Sequence, residues 1–146
     1  MIKYFDGTCA FLSNFYLFTN PVRVGGIRFY RVENAFQASK TTDRETRRRF
    51  VDLTPGQAKK LGKEILLRKD WDKIKLDIMK DLVYQKFTNN PSLARELMAT
   101  YPEELVEHNH WSDTYWGVCN GNGENHLGLI LMDVRWFLVE SYLKRP

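Results

Sequence analysis

Asp70-Trp71-Asp72-Lys73-Ile74-Lys75-Leu76-Asp77-Ile78-Met79-Lys80-Asp81-Leu82-Val83-Tyr84-Gln85-Lys86-Phe87 is the stretch whose reading decides the fold. Trp71, Ile74, Ile78 and Leu82 recur near one stripe of a helix, and Leu76, Met79, Val83 and Phe87 widen it. So broad an apolar surface predicts a central, well-buried helix, with Asp70 as its cap. Upstream, Thr54-Pro55-Gly56-Gln57 predicts another helix start. Thr54 can cap, Pro55 loses no useful donor at the first position, and Gln57 completes a capping box. Ala58, Leu61 and Ile65 then line one face.

Downstream, Asn89-Asn90-Pro91 ends the long helix and caps a further one, with Leu93, Leu97 and Met98 inward. Residues 105–116 read as a strand and a loop, and Gly121-Asn122-Gly123 as a turn. His126 to Leu143 forms an amphipathic helix through Leu127, Ile130, Leu131, Val134, Leu138 and Tyr142. Toward the N-terminus, Phe11 to Tyr16 is dense in β-formers. Val22–Val24 and Ile27–Tyr30 flank Gly25-Gly26 as a hairpin. Val32, Ala35, Phe36 and Ser39 return to helical spacing, and Arg44 to Arg49 continues that helix or starts another. The expected fold is mainly α (α+β), a single compact domain over residues 1–146 with a small N-terminal β-hairpin and short strands.

Composition agrees with a globular chain. Of 146 residues 43% are hydrophobic, 27% charged and 14% aromatic, so the core and any pocket are expected to be ring-rich. The 22 Lys and Arg exceed 18 Asp and Glu, which suits a phosphate-bearing or nucleic-acid partner. No apolar run approaches the roughly 18–20 residues of a membrane span, and the first residues lack a secretory signal. Cys9 and Cys119 form no CxxC pair, so two free thiols in a reducing cytoplasm are expected.

Four polar clusters could carry chemistry. Glu33, Gln37 and Lys40 share one side of a helix. That side is either a solvated, charge-paired face or a pocket in which Glu33 is acid or base and Lys40 a nucleophile or phosphate ligand. Glu107-His108-Asn109-His110-Trp111-Ser112-Asp113-Thr114-Tyr115-Trp116-Gly117 packs carboxylates, imidazoles and indoles together. Its rings either join the core or stack a base beside charge. His108, His110 and His126 lack convincing ligand spacing, so no metal is expected. Gly121 to Asn125 offers a weak phosphate-binding turn or a plain helix cap. Arg68, Trp71 and Lys75 form either a capped helix with a core indole or a clamp on a base and its phosphates. A helical DNA-binding reading through Arg44 to Arg49 is diluted by Asp43, Glu45 and Asp52.

These segments together resemble the NADAR, or YbiA-like, family. The shared order is Phe-Leu-Ser-Asn-Phe-Tyr (11–16), Val-Glu-Asn-Ala-Phe-Gln-Ala-Ser-Lys (32–40) and Arg-x-Asp-Trp-x-x-x-Lys-x-x-x-Met (68–79). It continues with Glu-x-Asn-x-Trp-x-Asp-x-x-Trp-Gly (107–117) and Gly-Glu-Asn-His-Leu-Gly-x-x-Leu-Met (123–132). The resemblance implies a mainly α domain that cleaves N-glycosidic bonds, and nothing in the sequence calls for a cofactor. The implied substrates are ADP-ribose on guanine in nucleic acid, or phosphorylated ribosylamino-pyrimidines of riboflavin synthesis. A non-catalytic module binding ADP-ribose would use the same pocket.

Carried over by motif, the catalytic candidates are Glu33, Lys40, Glu107 and Asp113. Trp71 and Trp116 join them, with Ser13 and Asn14 in a supporting loop. Phe15, Gln37, Arg68, Lys75, Trp111 and Gly117 complete the expected substrate-binding set. Some members carry Glu-x-Ser-Pro-x-Asp, one residue shorter, where this chain has Glu107 to Asp113. That difference favours the ADP-ribosyl-guanine substrate. Pairing with an ADP-ribosyltransferase toxin that installs the modification, and the oligomeric state, stay open.

Overall fold

A computed structural model describes residues 1–145. Their backbone groups into two compact units: Asn14–Asn90, and Met1–Ser13 together with the chain from Pro91 onward. The elements are mainly helical, with a short hairpin and two very short strands.

In Asn14–Asn90, β1 (Val22–Val24) and β2 (Ile27–Phe29) pair antiparallel, with Val22 opposite Phe29. Gly25 and Gly26 both hold positive φ, as a two-residue turn matched to strand twist requires. Val22, Ile27 and Phe29 are buried, and Arg23 and Arg28 project to solvent. α1 (Val32–Ala38) follows, and all seven of its residues are buried, polar ones included. It packs on the hairpin, on α3 (Pro55–Glu64) and on α4 (Trp71–Asn89). α2 (Arg44–Arg48) is a separate helix. The capping box of α3 forms as expected: Gln57 N donates to Thr54 Oγ1 at 3.2 Å, and Thr54 N to Gln57 Oε1 at 2.9 Å.

α4 buries Trp71, Met79, Leu82, Val83 and Phe87, and two details depart from the sequence reading. Leu76 is exposed, because the widened stripe turns past the packed face at that position. Lys86, in the last turns of the helix, is buried with them. Asp70 precedes the helix but its side chain caps nothing. Arg68 Nε and Nη2 hold its two oxygens at 2.7 and 3.1 Å, and a charged fork outcompetes a neutral amide donor.

In the second unit, Gly7–Leu12 is a 3-10 helix, so Phe11 and Leu12 of the β-forming stretch Phe11–Tyr16 are helical and none of that stretch is strand. Cys9 N donates to Asp6 O and Ser13 N to Ala10 O, so local turns claim those amides before any sheet partner does. α5 (Pro91–Ala99) packs against α6 (His126–Leu143) through Leu93, Leu97, Leu127, Ile130 and Val134, and Tyr142 stays exposed. β3 (His108–Asn109) runs parallel to β4 (Val118–Cys119). Cys9 and Cys119 are free thiols. Among the described residues no helix is long and apolar enough to cross a membrane.

Candidate active site

The polar row of α1 is buried and not solvated. Glu33 is 7% exposed and Gln37 4%. Both lie beneath α3 and α4 because α1 is short and packed on several sides. Gln37 Nε2 donates to Glu33 Oε1 at 2.9 Å, which turns the Gln37 carbonyl the other way. That carbonyl, Asn34 Oδ1 and Arg31 Nε are buried without hydrogen-bond partners. Native interiors pair nearly all such atoms, so three on one short segment set it apart from an ordinary packed helix. Asn34 Nδ2 itself ties the helix to Phe50 O and Leu53 O at 2.9 and 2.8 Å.

Lys40 stands just past the C-terminal end of α1, half-buried. Burial pushes its amine below the ordinary lysine value. Glu33 opposes that shift, and Lys63, Lys59 and Lys75 add to it. α3 meets the row at Gly62, where a Cβ would collide with Gln37 Oε1 and come within 3.4 Å of Lys40 Nζ. Gly62, Lys59 and Lys63 were missed in the sequence reading. The available signal was an isolated glycine within a helical pattern, which often marks a close approach.

The rest of the expected set in this unit supports α1 more than it opens to solvent. Asn14 O accepts from Glu33 N at 2.9 Å, and Asn14 Nδ2 lies 3.5 Å from Met79 Sδ. Arg68 N donates to Lys40 O at 2.8 Å, fixing the lysine backbone, while its guanidinium is committed to Asp70. Lys75 Nζ sits 3.5 Å from Asp72 and contributes to the field at Lys40. Trp71 is 6% exposed and packs on Phe36 at 5.0 Å between ring centroids, so it is a wall and not an open stacking platform. Phe15 is exposed.

In the other unit, Asn109 organises the Trp-rich loop. Its Nδ2 donates to Asp113 O, and its Oδ1 accepts from Trp111 N and Asp113 N. Asp113 Oδ1 accepts from Tyr115 N and Trp116 N at 3.2 and 3.0 Å, so this carboxylate shapes the turn. Glu107 N donates to Asn125 Oδ1, and Asn125 Nδ2 to Leu105 O, pinning the strand to the start of α6. Asn125 therefore precedes α6 without capping it through its side chain. Gly117 is required by proximity: a Cβ there would strike Glu107 O and lie 3.0 Å from Glu107 Oε2. Trp116, Tyr115 and His126 make a ring cluster, with Tyr115 4.8 Å from Trp116 and 4.4 Å from His126. Trp111 is 58% exposed and belongs to no core. Ser13 closes the 3-10 helix and is half-buried.

The family model for the NADAR domain matches residues 4–139, nearly the whole chain. The chain belongs to the NADAR family. N-glycosidase YbiA of Shigella boydii serotype 4 is 36% identical over 119 residues, which is 79% of this chain and 74% of that protein. A riboflavin biosynthesis protein of Vibrio vulnificus is 37% identical over 139 residues, covering 92% of this chain but 37% of that longer protein. The NMR structure of the Escherichia coli protein YbiA aligns over 99% of this NADAR chain and 89% of its own, with TM-score 0.84 and 33% identity.

Proposed function

We propose that this NADAR chain is an N-glycosidase that removes ADP-ribose from ADP-ribosylated guanine in nucleic acid, with residues 1–146 acting as one domain. Family membership and the named N-glycosidase relatives support the reaction class. The observation that carries the chemistry is the buried row of α1, a carboxylate held by an amide beside a lysine amine whose pKa burial lowers.

Cleaving a ribose C1–N bond places positive charge on the sugar and negative charge on the base. Glu33 polarises a ribose hydroxyl and activates the attacking group. The Lys40 Nζ lone pair attacks C1, the C1–N electron pair leaves with the base nitrogen, and that nitrogen takes a proton. Ring opening leaves a Schiff base on Lys40. Water then adds to its carbon, the amine departs, and the sugar recloses with its hydroxyl. Lys75, whose charge acts on Lys40, holds phosphate.

The test is incubation with guanine-ADP-ribosylated DNA, following released ADP-ribose by mass spectrometry, with Glu33→Gln in parallel. Release by the wild type and a loss of at least ~100-fold in the variant are expected. Near-normal turnover by Glu33→Gln moves the essential carboxylate to Asp113 or Glu107. Borohydride added during turnover traps an adduct at Lys40 if the Schiff base forms. No trapping, with Lys40→Arg active, makes Lys40 a binding group. The riboflavin-related Vibrio relative supports a second substrate, ribosylamino-pyrimidine phosphate. Release from that compound but not from DNA would replace the first reading. Tight ADP-ribose binding with no release from either would make the domain a reader.

A further inference from the structure

The cationic excess is not spread over the chain. Asn14–Asn90 holds 17 Lys and Arg against 9 Asp and Glu, a net +8, while the other unit holds 5 against 9, a net −4. Within the basic unit the arginines are arranged in sequence in space. Arg68 N is bonded to Lys40 O, at the candidate site. The Arg68 and Arg44 charges both act on Arg47, whose Nε is held by Thr41 O at 2.8 Å. Arg44 Nη1 donates to Gly25 O at 2.6 Å, which docks α2 on the hairpin turn. On that hairpin Arg23 lies directly opposite Arg28, both exposed.

Like charges facing each other across two strands cost stability unless an anion lies between them. Of the three acids in this region, Asp43, Glu45 and Asp52, the first is engaged locally. Asp43 Oδ2 is occupied by Thr46 N at 2.9 Å and Thr46 Oγ1 at 2.6 Å as the cap of α2. The tract is rich in arginine, whose fork matches phosphate oxygens in pairs. It also leads away from Lys40 over several residues.

We infer that the arginine tract of α2 and the β1–β2 hairpin binds the sugar–phosphate backbone of a single nucleic-acid strand flanking the modified guanine. This deepens the substrate proposed above and rests on it. A single strand is the fitting partner because an unpaired guanine can carry its ADP-ribosyl C1–N bond into a buried site without the cost of leaving a duplex stack. The tract holds the neighbouring phosphates while the lesion is turned toward α1.

The test uses the exposed residues Arg28, Arg48 and Arg49, all changed to Gln. A control changes Lys3, Arg95 and Lys144 to Gln, removing the same charge from the other unit. Binding of an unmodified single-stranded oligonucleotide of about 12 residues is followed by fluorescence anisotropy against salt. Each phosphate contact contributes about 0.7 to the log–log salt slope, so the tract variant lowers the slope by about 2 and weakens binding at least ~10-fold at about 50 mM salt. The control binds like the wild type. Hydrolysis of ADP-ribosylated guanosine, which has no flanking strand, stays within about twofold in the tract variant, so the effect is not misfolding.

Equal weakening by the control overturns the tract, as does a wild type that binds no strand or binds the duplex as tightly. If neither ADP-ribosylated nucleoside nor oligonucleotide is cleaved while the salt-dependent binding persists, the substrate reading fails and the tract stands.

Discussion

Lys86 is 1% exposed, with its ammonium 5.0 Å from the Phe87 ring centroid and 5.7 Å from that of Tyr16. Burial pushes its pKa from 10.5 down to about 7. Between those values the unfolded chain carries a proton that the folded chain lacks, so stability rises with pH from about 7 toward 10.5. Below about 7 both states are charged, and the fold bears the cost of the buried ammonium less what its contacts return. Lys86→Met removes that cost, at the loss of the ring contacts. Urea unfolding at pH 6 should show the variant more stable, on the order of a few kcal/mol, with a flatter pH dependence than the wild type. An unchanged pH dependence would mean that the ammonium reaches water or a compensating group. Lys40 titrates on the same logic but at the site. Because Glu33 raises its pKa, borohydride trapping in Glu33→Gln should begin at lower pH than in the wild type.

At the scale of elements, α3 and α1 meet through Gly62, and this contact makes a prediction opposite to helix propensity. In an open helix interior, Gly→Ala stabilises by about 1 kcal/mol. Here the added Cβ collides with the Gln37 amide, which is the group that holds Glu33. Gly62→Ala should therefore lower kcat at least ~10-fold and shift its pH profile, with no gain in melting temperature. A more stable, fully active variant would remove Gly62 from any role in positioning. Local signals made some elements legible from sequence: the Thr54 capping box, the Gly25-Gly26 turn and the full extent of α6 all follow from adjacent residues. What failed depended on distant partners. Arg68 diverted Asp70 from its capping role, and the local turns of residues 7–12 overrode β-forming side chains. The burial of α1 could not be read from its spacing, since Glu33 and Gln37 look like a solvated pair until α3 and α4 cover them.

At the scale of the whole molecule, charge placement matters more than net charge. A formal +4 is unremarkable, but it is the sum of +8 in Asn14–Asn90 and −4 elsewhere. The ion pairs seen on the surface, Lys75–Asp72 and Lys144–Glu140 among them, are each worth under about 1 kcal/mol and cannot offset that imbalance. Lys59, Lys63 and Lys75 all act on Lys40, so their mutual repulsion is concentrated at the candidate site. A diphosphate should relieve it. Pyrophosphate compared with chloride at matched ionic strength isolates site binding from general screening, because screening is equal in both. At about 100 times its dissociation constant, a ligand specific for the fold adds about 2.7 kcal/mol, which a thermal melt resolves. The melting temperature should rise in pyrophosphate, and Lys59→Gln with Lys63→Gln should erase most of the rise. Equal melting in the two salts would mean that these lysines repel one another without forming a phosphate site, and the phosphates of the substrate would have to be held elsewhere.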